Sequence, residues 1–110
     1  MPYKFDKILK DYIYEIKSIL GEDFLSATLY GSAVRNEMTE ESDIDIAIFT
    51  NRRSEDFYEM INKIAGITFE YSTRFDLMLS PVFINNGEYQ RMVKILPYYQ
   101  SIQKEGVTLG

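Results

Sequence analysis

The chain has 110 residues with no cysteine and no histidine, and its 17 acidic against 12 basic side chains leave a formal charge of −5. That length suits one domain spanning residues 1–110, large enough to bury a core without covalent staples. The missing residue types exclude disulfides, thiolate zinc sites and Ser-His-Asp or Cys-His catalysis, so any chemistry rests on carboxylates, hydroxyls, Lys/Arg and a borrowed cation.

The negative balance repels a polyanion, and no basic run reverses it locally, so no nucleic-acid partner is expected. An apolar content of 45% with 15% aromatic residues is that of a folded domain. No stretch approaches the roughly 18 apolar residues that span a bilayer, and Met1 to Lys7 lacks the apolar centre of a signal peptide. These features predict a soluble, cytoplasmic protein.

In chain order, Phe5, Ile8, Leu9, Tyr12, Ile13, Ile16, Ile19 and Leu20 recur at three- and four-residue steps. They predict a helix over Pro2 to Leu20, started by the proline and stopped by Gly21. Phe24 to Tyr30 reads as a strand ending at Gly31, and Ser32 to about Met38 has room for a short helix. Asp43 to Thr50 alternates strictly: Ile44, Ile46 and Ile48 share one face, Asp43, Asp45 and Ala47 the other.

Ser54, Glu55 and Asp56 can open a helix whose buried stripe is Phe57, Met60, Ile61 and Ile64. Gly66 could end it and release Ile67 to Tyr71 as a strand; continuation to about Ser72 is favoured. Phe75 to Leu79 alternates again and reads as a strand with Asp76 facing away from Phe75, Leu77 and Leu79. Helices over Glu88 to Leu96 and Pro97 to Lys104 complete the chain. This order predicts a mixed three- to four-stranded sheet packed by helices, an α/β (α+β) fold.

Two features carry chemistry. Gly31-Ser32 closes an apolar strand and opens a helix containing Arg35. Glycine admits a phosphate close to the backbone, the helix start presents unpaired N–H groups, and the serine and arginine add donors. By itself such a pair is most often an ordinary turn. The second feature is Asp43-Ile44-Asp45, which sets two carboxylates on one strand face, where they can share hard cations such as Mg²⁺. Aspartate is depleted in strands, so the pair asks for a reason. Asp76 would add a third carboxylate if its strand lies beside that of Asp43, and a divalent cation would relieve the mutual repulsion.

Leu29-Tyr30-Gly31-Ser32-Ala33-Val34-Arg35, ten residues from Ser32 to Asp43, and Ser42-Asp43-Ile44-Asp45-Ile46-Ala47-Ile48 together resemble the signature of the polymerase-β-like nucleotidyltransferases, in particular their minimal members. The resemblance implies that Gly31, Ser32 and Arg35 hold the phosphates of ATP or another nucleoside triphosphate. Asp43 and Asp45 would bind two Mg²⁺ ions, and Asp76 would be the third metal-binding and catalytic carboxylate. Asn36 stands where the family often has glycine.

It further implies transfer of a nucleoside monophosphate, AMP foremost, onto a hydroxyl of a protein partner. That partner would be a helical HEPN-type protein, with this chain the antitoxin of the pair, because an acceptor-binding domain does not fit into 110 residues. The alternative is a catalytically inactive member that regulates its partner by contact alone. Tyr98-Tyr99 could belong to a partner surface or to the core, Arg52-Arg53 reads as a solvated loop end, and composition leaves self-association open.

Overall fold

The computed structural model describes residues 3–34 and 43–110. The elements run α1 (Tyr3–Leu20), β1 (Ser26–Tyr30), β2 (Ile44–Thr50), α2 (Phe57–Arg74), β3 (Leu79–Asn85), α3 (Asn86–Met92), α4 (Pro97–Glu105) and β4 (Val107–Thr108). The strands form one mixed sheet in the order β3-β2-β1-β4. β1 is antiparallel to both β2 and β4, whereas β2 and β3 are parallel, with α2 as the crossover between them. This is the predicted α/β architecture, with the four-stranded alternative realised.

Alternation along β2 decides the layering. Ile44, Ile46 and Ile48 enter a core shared with Leu9, Tyr12, Ile13 and Ile16 of α1 and Met60, Ile64 and Tyr71 of α2. On the other face, Ala47 and Phe49 meet Ile84, Val93, Tyr99 and Ile102 under α3 and α4. Both faces of the sheet are therefore covered, which lets β2 read as a nearly continuous buried strand. Where α1 crosses α2, the buried Tyr12 hydroxyl lies 2.7 Å from Thr68 Oγ1, and its ring is 5.5 Å from that of Tyr71.

α2 runs through Gly66 to Arg74, as favoured over a break there. Its end departs from expectation. Phe75 to Leu79 is not a strand: Phe75 caps the helix, and Asp76 takes a left-handed conformation with φ of 53°. The Leu77 N–H then donates to the Ser72 carbonyl at 2.9 Å, and the Leu77 side chain is buried. This is a Schellman-type C-cap, with Asp76 at the position where glycine is commonest and aspartate is tolerated. The apolar alternation over 75–79 is thus a helix cap followed by the approach to β3.

The predicted third strand, Phe75 to Leu79, is realised further along the chain as β3, which begins at Leu79 and contains Pro81. The proline is accommodated since β3 is an edge strand. β1 starts two residues later than expected, at Ser26, and β4 had no counterpart in the sequence reading. The helix predicted over Glu88 to Leu96 starts earlier and ends earlier, at Asn86–Met92. Asn85 caps it, its Oδ1 accepting from the Glu88 N–H at 2.8 Å. The helix over Pro97–Glu105 matches its prediction to one residue. Arg52 is not simply a solvated loop residue, since its guanidinium reaches Asp56 at 3.1 Å and Asp23 at 3.6 Å.

Burial pushes the Tyr12 hydroxyl from its ordinary 10.0 up to about 12, against the lowering effect of its bond to Thr68. A raised value in the folded state means the neutral phenol stabilises the fold fully below pH 10, and that contribution fades as pH climbs through 12. The difference corresponds to about 2–3 kcal/mol. Urea unfolding at pH 8 and near pH 11.5 will show a smaller alkaline loss for Tyr12→Phe than for the wild type, alongside a cost of about 1 kcal/mol at pH 8 from the missing hydrogen bond.

Candidate active site

β1 and β2 are antiparallel, so the end of one adjoins the start of the other. Tyr30 pairs with Asp45 in the ladder, which sets the Gly31-Ser32 turn beside the start of β2. Gly31–Ala33 forms a 3₁₀ turn, and the helix predicted over Ser32 to Met38 falls from residue 35 onward among residues 35–42, which lie outside those described. Arg35 and Ser42 fall in that stretch.

Gly31 is required twice over. Its φ is +80°, a conformation L side chains rarely adopt. A Cβ built on it would overlap Oδ2 of Asp45 and stand 3.3 Å from Cγ of Asp45. The carboxylate of Asp45 therefore lies directly on the glycine backbone, half-buried, on the sheet face that α3 and α4 cover further along. Asp43, two residues earlier and exposed, stands one residue before the strand. Ser32 is half-buried in the turn. Gly31, Ser32, Asp43 and Asp45 thus lie at one sheet end, the juxtaposition that the family resemblance implied.

Asp76 shares that end, since the Ile44 N–H donates to the Met78 carbonyl at 2.7 Å and β3 runs parallel to β2. It sits in the exposed cap of α2, not in a strand opposite Phe75. Among the described residues no group of three or more acidic side chains is disposed to hold a metal ion. The expected gathering of Asp43, Asp45 and Asp76 is therefore not found, and Asp76 lies at the same sheet edge in the cap of α2. The donor set of Asp43 and Asp45 still fits a hard cation: carboxylate oxygens with open positions, the arrangement Mg²⁺ completes with water and phosphate oxygens.

Tyrosines wall this end. The hydroxyls of Tyr30 and Tyr98 are 2.6 Å apart, and their rings meet edge-on at 5.9 Å. Burial, then the Tyr98 hydroxyl and the charge of Asp45, raises the Tyr30 pKa well above the ordinary phenol range. The Tyr98-Tyr99 pair divides between roles: Tyr99 is buried in the core, and Tyr98 is 50% exposed beside the site. No spacing rule pointed to the Tyr30–Tyr98 contact, because it joins residues 68 positions apart.

These features, a glycine turn against an aspartate strand in a mixed sheet layered by helices, define the class of protein. A polymerase β nucleotidyltransferase family model matches residues 14–94, and the chain belongs to that family of enzymes. The chain is 27% identical over 101 residues to a protein of Methanocaldococcus jannaschii named as a protein adenylyltransferase, covering 92% of this chain and 94% of the relative. Its fold matches that of a Sulfolobus solfataricus protein described as a nucleotidyltransferase, with a TM-score of 0.63, 16% identity and coverage of 96% and 78%. It also matches a chain in the structure of a tri-AMPylated Shewanella oneidensis HEPN toxin with MNT antitoxin, with a TM-score of 0.52, 14% identity and coverage of 96% and 71%.

The two left-handed glycines provide a contrast. Gly21 has φ of +58° with open space where a Cβ would stand. Gly21→Ala is expected to cost roughly 1 kcal/mol for the backbone alone. Gly31→Ala must also displace Asp45, and is expected to cost roughly 2–3 kcal/mol. Thermal unfolding of both variants measures the difference.

Proposed function

We propose that this chain transfers AMP from ATP to a hydroxyl of a protein partner, with Mg²⁺, and that the partner is a helical HEPN-type protein neutralised by the modification in a cytoplasmic toxin–antitoxin pair. The observation that carries this reading is the seating of the Asp45 carboxylate on Gly31. A phosphate held by the Gly31-Ser32 turn would lie against a carboxylate pair suited to a hard cation. The adenylyltransferase relative and the AMPylated-toxin neighbour support the choice of AMP and of a protein acceptor.

In this mechanism the backbone of the Gly31–Ala33 turn, the Ser32 hydroxyl and the Arg35 guanidinium hold the β- and γ-phosphates. The acceptor oxygen attacks the α-phosphorus, the bond to the β-phosphate oxygen breaks, and pyrophosphate leaves. Asp43 and Asp45 would hold two Mg²⁺ ions, which when bound neutralise charge on the attacking and leaving oxygens. Most of the rate then comes from alignment and charge compensation. The chain has no histidine to take the acceptor proton. Asp76, exposed at the same sheet edge, is assigned the part of the carboxylate nearest the incoming hydroxyl.

The test incubates the chain and its HEPN-type partner with α-labelled ATP and Mg²⁺. Label is expected on the partner with the wild type and absent, by about 100-fold or more, with Asp43→Ala or Asp45→Ala. Asp76→Asn is expected to lose about 10- to 100-fold with little change in the apparent KM for ATP, as befits a group acting on the acceptor. A partner neutralised without label would instead identify a protein that acts by contact alone.

A further inference from the structure

α2 turns a second face away from the core. Opposite the buried Met60, Ile64 and Tyr71, the residues Tyr58, Ala65 and Phe69 recur at seven- and four-residue steps in one stripe, with Ile61 at its side. All four are exposed, Tyr58 by 78% and Phe69 by 72%. Asn62 and Thr73 continue the stripe without charge, and Gly66 beside it has open space around it. An uncharged aromatic stripe along an 18-residue helix is not the usual solvent face of a protein with 26% charged residues.

The flank of that stripe names its occupant. Four charged residues lie along one side of α2 in the order Glu59, Lys63, Glu70, Arg74, paired within the helix at 3.5 Å and 3.8 Å. The alternating order is self-complementary when a second α2 runs antiparallel. Glu59 of one copy faces Arg74 of the other, and Lys63 faces Glu70, with both pairs centred on the same point between Gly66 and Ile67. A parallel twofold neighbour would carry the two charged flanks to opposite sides of the pair, where they could not meet. The antiparallel centre also brings Ala65 of one copy towards Thr68 and Phe69 of the other, a small residue against a large one, where two helices approach closely.

We infer that α2 is a homodimer interface, formed by two copies of this chain with their α2 helices antiparallel about a twofold axis near Gly66–Ile67. The apolar stripe supplies the attraction, and the exposed charges, individually weak, set orientation and register. A twofold arrangement is what a self-complementary patch requires. The interface lies in the helical layer away from the sheet face of Asp45, and Asp76 stands just beyond its Arg74 end. The inference does not depend on catalysis.

Sedimentation equilibrium of the isolated wild-type chain, from low micromolar to submillimolar concentration, is expected to give a dimer. Glu59→Lys with Glu70→Lys makes the flank wholly positive, and Lys63→Glu with Arg74→Glu makes it wholly negative. Each double variant alone is expected to be monomeric, and an equimolar mixture to recover the dimer. Orientation is read separately, since the chain has no cysteine of its own. Oxidising a mixture of Ala65→Cys and Phe69→Cys chains is expected to give chiefly the mixed disulfide. All substituted positions are exposed, and circular dichroism reports whether each variant is folded. A wild type that is monomeric throughout overturns the inference, even if α2 then captures a different protein. So does a dimer indifferent to both charge sets.

Discussion

The contact on which this molecule turns is that between the Asp45 carboxylate and the backbone of Gly31. It exists because β1 and β2 are antiparallel with Tyr30 opposite Asp45, so the residue after Tyr30 must fold back over the side chain that the ladder presents. Any Cβ at position 31 would occupy the space of that carboxylate, and the left-handed backbone there excludes ordinary side chains independently. A turn that can admit phosphate oxygens is thus welded to a strand that can hold cations. The separation between those two parts is set by strand pairing, which is among the stiffest geometry a fold provides.

The rest of the architecture holds that ladder in place. β2 is buried on both faces, so sliding it by one residue would turn Ile44, Ile46 and Ile48 out of one core and bring Asp45 into it. α1 and α2 seal the isoleucine face, with the Tyr12–Thr68 bond and the Tyr12–Tyr71 ring contact across their interface. α3 and α4 seal the other face only part of the way. Tyr98 at the start of α4 meets Tyr30, and Asp45 beside them remains partly open. The incomplete cover leaves the Asp45 end of that face open to the proposed substrate.

A division of labour between the two sides of the sheet follows. The face under α3 and α4 carries Asp45 and the Tyr30–Tyr98 contact, and it is the side on which the proposed transfer chemistry would sit. The α1/α2 layer carries the packing, and the outer stripe of α2 gives it an outward-facing surface with a charge order of its own. The two proposed roles, modification of a partner and association with another copy, are therefore compatible in a small chain, because a sheet has two faces and helices cover them separately.

Much of this was legible in the residue order. Strict alternation from Asp43 to Thr50 can serve only a strand with unlike faces, and a glycine-serine pair after an apolar run marks the turn beside it. Helical spacing carried α1, α2 and α4 almost to their ends. The failures have a common cause. Around Phe75 to Leu79, period-two apolar spacing arises equally from a strand and from a helix cap that buries its second residue; the Leu77 bond to Ser72 decides between them. The strand itself lies just beyond, over Leu79–Asn85, and the Pro81 it contains is harmless only at a sheet edge, a property of the assembled sheet.

The amino-acid order by itself determined the local chemistry: which residues could be acidic ligands, which backbone position had to be glycine, and which helices would form, since these depend on neighbours within a few positions. Tertiary structure alone decided that Asp45 rests on Gly31, that Asp76 sits in a left-handed helix cap, and that Tyr98 reaches Tyr30 across 68 positions. Those outcomes depend on strand order, sheet edges and the docking of helices. Such long-range arrangements are selected by burial of the whole core, which no short stretch of sequence encodes.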